Sequence, residues 1–194
     1  MNEFLLWFWH TIYYRIGGWK AYPEMPDGVK KAVVLVAPHT SNQDFPIGLG
    51  LDYLMRPRGR FLGKKELFEG AFGWVFKLLG GIPVDRSKKN NLVDEVNRVF
   101  KENEELFLVI APEGTRARTT RWKTGFYHMA KGAGVPIVLA YIDYGKKECG
   151  FGKVVYPSDS MERDFLIIQE FYSTVTASIP ENFNPELTDK SAPK

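Results

Sequence analysis

His39 and Asp44 stand five residues apart in the run Pro38-His39-Thr40-Ser41-Asn42-Gln43-Asp44. With His39 at the end of a strand and Asp44 at the start of a helix, one tight turn separates them. The carboxylate then folds back onto one imidazole nitrogen, fixes the tautomer and leaves the other nitrogen to take a proton. It also stabilises the imidazolium that results. General-base assistance of this kind accelerates a reaction by ~10²–10⁴-fold. The spacing also has a plainer reading, in which Asp44 caps the helix opening at Phe45-Pro46 and His39 is a loop residue. No protein nucleophile accompanies the pair. Ser41 lies outside any G-x-S-x-G elbow, and Cys149 sits in a Gly/Lys loop with no histidine beside it. A base without such a nucleophile points to direct transfer, with the base activating a hydroxyl of a bound substrate.

Two more polar clusters follow apolar runs: Asp85-Arg86-Ser87, and Pro112-Glu113-Gly114-Thr115-Arg116. The guanidinium groups of Arg86 and Arg116 can fork onto a phosphate or carboxylate through two hydrogen bonds. Gly114 lets the backbone approach a ligand, and Thr115 adds a hydroxyl. Glu113 either pairs with an arginine as a structural ion pair or orients an acceptor hydroxyl. Two basic runs extend this surface: Arg56, Arg58, Arg60, Lys64 and Lys65, and then Arg116, Arg118, Arg121 and Lys123. Such runs are ordinarily solvated faces. Their place beside the polar clusters favours an anionic partner carrying several phosphates.

The elements that position these residues follow from apolar periodicity. Short β-branched runs predict buried strands over 32–37, 106–111 and 135–142, with shorter strands over 60–62, 82–84 and 153–156. Helical spacing predicts helices over 1–16, 45–55, 67–79, 91–103, 124–133 and 160–178. Alternating strands and helices predict one α/β domain with a mixed, largely parallel sheet flanked by helices. Ligands in such sheets bind beyond the carboxyl ends of the strands, where all three clusters fall. The expected organisation is an aromatic amphipathic helix within 1–20, a domain over 21–180 and a mobile polar tail over 181–194.

The composition narrows the function. At 194 residues and 44% hydrophobic, the chain suits one folded domain. A single cysteine excludes an internal disulfide and cysteine-based zinc sites, and no metal is expected with only His10, His39 and His128. A net charge of +3 is too mild to argue for nucleic acid, and no nucleic-acid-binding motif is present. The charge-free apolar stretch near the start covers only 4–14, short of the ~20 residues that a span needs. A basic start and a small-residue cleavage site are both missing. The expected location is therefore the cytoplasm, in solution or on a membrane surface.

In order, these residues resemble the glycerolipid acyltransferase family typified by bacterial 1-acylglycerol-3-phosphate acyltransferase. The H-x-x-x-x-D block is His39–Asp44; the second is Gly81-Ile82-Pro83-Val84-Asp85-Arg86; the P-E-G-T-R block is Pro112–Arg116; the fourth is Val135-Pro136-Ile137-Val138. The run Gly63-Lys64-Lys65-Glu66-Leu67-Phe68 is similar to the segment between the first two blocks, and the likeness covers about residues 32–142. Ala111 and Ala117 depart from a frequent aromatic and serine, and Leu139 from a frequent proline. These changes bear on the acceptor and leave the catalytic pair intact.

The resemblance implies a glycerol-3-phosphate acyltransferase-like fold. It implies transfer of an acyl group from acyl-CoA or acyl carrier protein to a hydroxyl of a lysophospholipid in phospholipid biosynthesis, with no cofactor. His39 would be the base and Asp44 its partner. Arg86, Glu113, Gly114, Thr115 and Arg116 would bind the acceptor head, and Lys64, Lys65, Arg118 and Lys123 would add donor or phosphate contacts. The alternatives are a non-phosphate acceptor such as a lyso-aminolipid, or a lipid- or phosphate-binding protein without turnover. A lipid acceptor places the enzyme on the inner face of the cell membrane. There the first helix would lie in the interface, with Trp7, Trp9, Tyr13 and Tyr14 at headgroup depth; otherwise that helix only covers the core.

Overall fold

The computed structural model describes residues 3–55, 58–84 and 92–186, together with the backbone but not the side chain of Lys64. Arg86, expected to bind phosphate, lies outside the described residues, as does the side chain of Lys64.

The elements run α1 (Glu3–His10), a π-helical turn (Thr11–Ile16), β1 (Lys20–Tyr22), β2 (Lys31–Ala37), α2 (Asp44–Asp52), β3 (Gly59–Lys64), α3 (Lys65–Glu69), α4 (Gly73–Leu78), β4 (Gly81–Val84), α5 (Leu92–Glu102), β5 (Leu106–Ile110), α6 (Gly125–Ala133), β6 (Ile137–Asp143), β7 (Glu148–Val155) and α7 (Met161–Ser173). The strands form one seven-stranded sheet in the order β1-β7-β6-β2-β5-β3-β4. Every neighbouring pair is parallel except β6 with β7.

β2 lies at the centre and is buried on both faces, which explains its unbroken apolar run. Side chains alternate across a strand. Val33, Leu35 and Ala37 therefore join the core under α5, α6 and α7, while Ala32 and Val34 join the core under α2. Truncating a fully buried residue such as Leu35 to Ala would cost about 2–5 kcal/mol.

Several elements differ from the periodic expectation, which did not include β1. The stretch 67–79 is two short helices, α3 and α4, joined by a turn in which Gly73 N–H donates to Gly70 O at 2.8 Å. Phe68 turns inward, and any side chain at Gly73 would collide with its carbonyl. Phe72 and Trp74 consequently point outward, at 72% and 65% exposure. The first helix widens to a π turn after His10, which shifts the apolar stripe. Tyr14, expected at headgroup depth, instead donates to Ile47 O at 2.9 Å, while Phe8, Ile12 and Ile16 are exposed. β7 begins five residues earlier than expected, at Glu148 rather than 153. Its glycines obscure the pattern in sequence: a side chain at Gly150 would strike Tyr22 of β1, and one at Gly152 the ring of Phe171.

α7 stops at Ser173 rather than 178, with the hydroxyls of Ser173 and Thr174 bonded back to Glu170 O and Phe171 O. The chain then crosses the carboxyl ends of the sheet. Ile179 N–H donates to Thr40 Oγ1, Arg118 donates to Glu181 O and Phe183 O, and Trp122 Nε1–H donates to Asn184 O. Over 181–186, the segment expected to be mobile is thus held by hydrogen bonds to the loop after β5.

Candidate active site

β2 and β5 are adjacent and parallel, so the loops after Ala37 and Ile110 emerge side by side at one edge. Glu113 stitches them together: its Oε1 accepts from the backbone N–H of His39 at 3.0 Å. The chain then turns from β2 into α2, bringing His39 Nδ1 within 3.0 Å of Asp44 Oδ2.

Asp44 does not cap α2. Gln43 occupies the capping position without a side-chain hydrogen bond, and Oδ2 of Asp44 is turned back to the loop. Oδ2 also accepts from Ser41 N–H at 2.9 Å, and Oδ1 accepts from Tyr144 OH at 2.7 Å. The Asp44 side chain is 2% exposed and that of His39 is 22%. With Nδ1 directed at the carboxylate, Nε2 is the nitrogen left for chemistry. Burial, followed by the bond to Asp44, pushes the Tyr144 phenol above its ordinary value, so it serves as a donor.

Glu113 is 5% exposed, and its Oε2 has no hydrogen-bond partner among the described residues. Burial pushes its carboxyl above the usual carboxylate range, opposed by the bond from His39 N–H. Among the described residues it makes no ion pair with Arg116, and its contact is with the His39 N–H. Gly114 is in the left-handed region at φ +65°, and a Cβ there would come within 2.5 Å of Lys123 Nζ. Glycine therefore lets the lysine fold across the loop. Thr115 Oγ1 accepts from Ala117 N–H at 3.2 Å.

A cleft of about 1240 Å³ opens beside His39 and Asp44. Gly114, Thr115, Arg116 and Lys123 form its polar wall, and Phe45, Leu49, Phe61 and Leu79 contribute apolar surface. Arg116 is exposed on this rim. Two other expected cations are engaged elsewhere: Arg118 by the 181–183 carbonyls, and Lys65 by Glu69 at 3.5 Å.

Tyr144 and the 176–186 segment escaped the sequence reading. A signal for Tyr144 existed, because it lies two residues beyond the strand predicted over 135–142. The rule of inspecting each strand's carboxyl end applies to that strand too, since β6 runs parallel to β2.

The family described as Acyltransferase matches residues 19–143. The 1-acyl-sn-glycerol-3-phosphate acyltransferase of Haemophilus influenzae is 31% identical over 139 residues, covering 67% of this chain and 56% of that protein. The Escherichia coli protein of the same description is 32% identical over 112 residues, covering 54% and 44%. The chain thus spans about half the length of these curated relatives. The crystal structure of the 1-acyl-sn-glycerophosphate (LPA) acyltransferase PlsC of Thermotoga maritima shares the fold, with a TM-score of 0.57 at 19% identity over 87% of this chain and 78% of that one. Because the matched region runs from β1 through β6 and so takes in the turns that hold His39, Asp44 and Glu113, the chain belongs to the Acyltransferase family.

Proposed function

We propose that this protein transfers a fatty acyl group from a thioester, acyl-CoA or acyl carrier protein, to the hydroxyl of a lysophospholipid such as 1-acylglycerol-3-phosphate. The observation that carries this reading is the His39–Asp44 contact at 3.0 Å, set at the mouth of a cleft with a cationic wall and an apolar interior. His39 Nε2 takes the proton of the acceptor hydroxyl as its oxygen attacks the thioester carbonyl. The tetrahedral intermediate collapses, the C–S bond breaks, and the imidazolium returns the proton to the leaving thiolate. Asp44 stabilises the imidazolium in between.

Arg116 grips the acceptor's phosphate, with Arg86, Lys64 and Lys123 as further cationic contacts. Glu113, Gly114 and Thr115 shape the head-group pocket. The acyl chain lies along Phe45, Leu49, Phe61 and Leu79. Joining donor and acceptor in one cleft supplies much of the rate.

The acceptor is reached at the inner face of the cell membrane, with the 1–20 segment in the interface. No described helix is long and apolar enough to cross a bilayer. Phe4, Trp7 and Phe8 on α1 are 69%, 42% and 39% exposed, as an interfacial helix requires. Incubation with acyl-CoA and acyl carrier protein donors and a panel of lysolipids, with products identified by mass spectrometry, tests the reading. A diacyl phospholipid product is expected. Absence of product from every donor and acceptor overturns it.

A further inference from the structure

We infer that Tyr144 is the third member of the His39–Asp44 pair, a positioning residue that holds Asp44 against the imidazole. The inference rests on the reading of His39 as the base. Asp44 is enclosed, and its two oxygens are served differently. Oδ2 receives both His39 Nδ1 and Ser41 N–H, whereas Oδ1 receives the Tyr144 hydroxyl at 2.7 Å. Without that hydroxyl, Oδ1 would be a buried acceptor lacking this donor, and the carboxylate would be freer to rotate about its bond to Cβ.

Tyr144 is well held for this task. It directly follows β6, whose neighbour in the sheet is the strand that carries His39. Its N–H donates to Thr176 O at 2.9 Å, and its ring meets Trp19 edge-on at 5.1 Å. The anchor on Thr176 comes from the chain beyond the family-matched region. The ionisable groups facing this cluster are His39 from the β2–α2 turn, Glu113 from the β5 end, Tyr13 from the π turn and Cys149 from β7.

The phenol has two effects. It fixes the carboxylate in the plane that Nδ1 needs, and it withdraws part of the carboxylate's charge from the imidazolium. Tyr144→Phe removes the hydroxyl and keeps the ring on Trp19. The expected result is a kcat lower by about 10- to 100-fold, the cost of a misplaced catalytic group. KM for thioester and lysolipid should stay within about twofold, since the phenol acts through another residue.

In an Asp44→Ala background the same substitution should cost less than about twofold, since its route of action is gone. Equal losses in both backgrounds, or an unmoved kcat, overturn the proposal. If the variant does not fold, the wild-type chain decides. A slowly exchanging Tyr144 hydroxyl proton, seen by NMR and lost in Asp44→Ala, supports the contact, and rapid exchange in the wild type overturns it. A folded wild type without acyl transfer, or one whose His39→Ala variant keeps full rate, instead removes the reading beneath. A wild type that needs His39 but ignores Tyr144→Phe removes this inference alone.

Discussion

Asp164, at the start of α7, accepts hydrogen bonds on both oxygens: from Ser158 N–H at 2.7 Å, Tyr127 OH at 2.8 Å and Ser158 OH at 2.9 Å. Glu113, at the end of β5, accepts one from His39 N–H and leaves Oε2 without a partner among the described residues. Both side chains are buried, and burial pushes both carboxyls up. At Asp164 the donors overcome burial and hold the group below its ordinary value. At Glu113 burial prevails and the group is raised. Where a carboxyl serves the scaffold, the chain supplies its donors. Beside the cleft, one oxygen of Glu113 has no donor among the described residues. Buried polar groups are nearly always satisfied, so the exceptions mark sites.

The contrast is open to test by substitution, and the largest effect is expected beside Glu113 rather than at it. Asp44→Asn keeps the shape but places a donor where an acceptor is needed, and kcat should fall by about 10⁴-fold, with little change in thermal midpoint. Steady-state kinetics and circular dichroism check this.

Asp164→Ala should do the reverse. It strands the Ser158 N–H and takes one acceptor each from the Tyr127 and Ser158 hydroxyls, costing about 3 kcal/mol, or roughly 6–12 °C in midpoint. Turnover per folded molecule should be unchanged. If Asp164→Ala instead impaired turnover with full stability, the division between scaffold and site would be wrong.

Arg116→Ala should raise KM for a phosphate-bearing acceptor by about tenfold, while KM for the thioester holds. An unaffected acceptor KM would favour a non-phosphate acceptor.

The smallest effect is also the most diagnostic of the contrast. Glu113 has a raised folded value, so its contribution is fully present below its unfolded value near 4.5 and is lost as pH rises through the folded value. Asp164 is lowered, so its contribution is present above its unfolded value near 3.8 and is lost as pH falls through the folded value. The midpoint of Glu113→Gln minus that of the wild type should therefore grow from pH 4 to pH 8. The corresponding difference for Asp164→Asn should become more negative from pH 2 to pH 6. Parallel trends in calorimetry would contradict the opposition.

Local spacing carried much of what was legible in the sequence. The turn between His39 and Asp44 is short, so the H-x-x-x-x-D interval put their contact within reach, beside the plainer reading in which Asp44 caps the helix. β2 and β5 are unbroken apolar runs, so their carboxyl ends could be placed together from the logic of a parallel sheet. Contacts that span the chain were not legible in the same way. Tyr144 reaches Asp44 across 100 residues and Ile179 reaches Thr40 across 139; both depend on strand order and on where α7 stops. The π turn after His10 defeats a stripe drawn at 3.6 residues per turn, and Gly150 and Gly152 hide β7 because close packing there needs missing side chains.

Single-turnover acyl transfer by wild type and His39→Ala, with a thioester donor and 1-acylglycerol-3-phosphate, addresses the role of the His39 imidazole without the complication of product release. The wild type should yield diacyl product and thiol in equal amounts, and His39→Ala should be slower by about 10²–10⁴-fold with its fold intact. Equal rates for the two proteins would contradict the account.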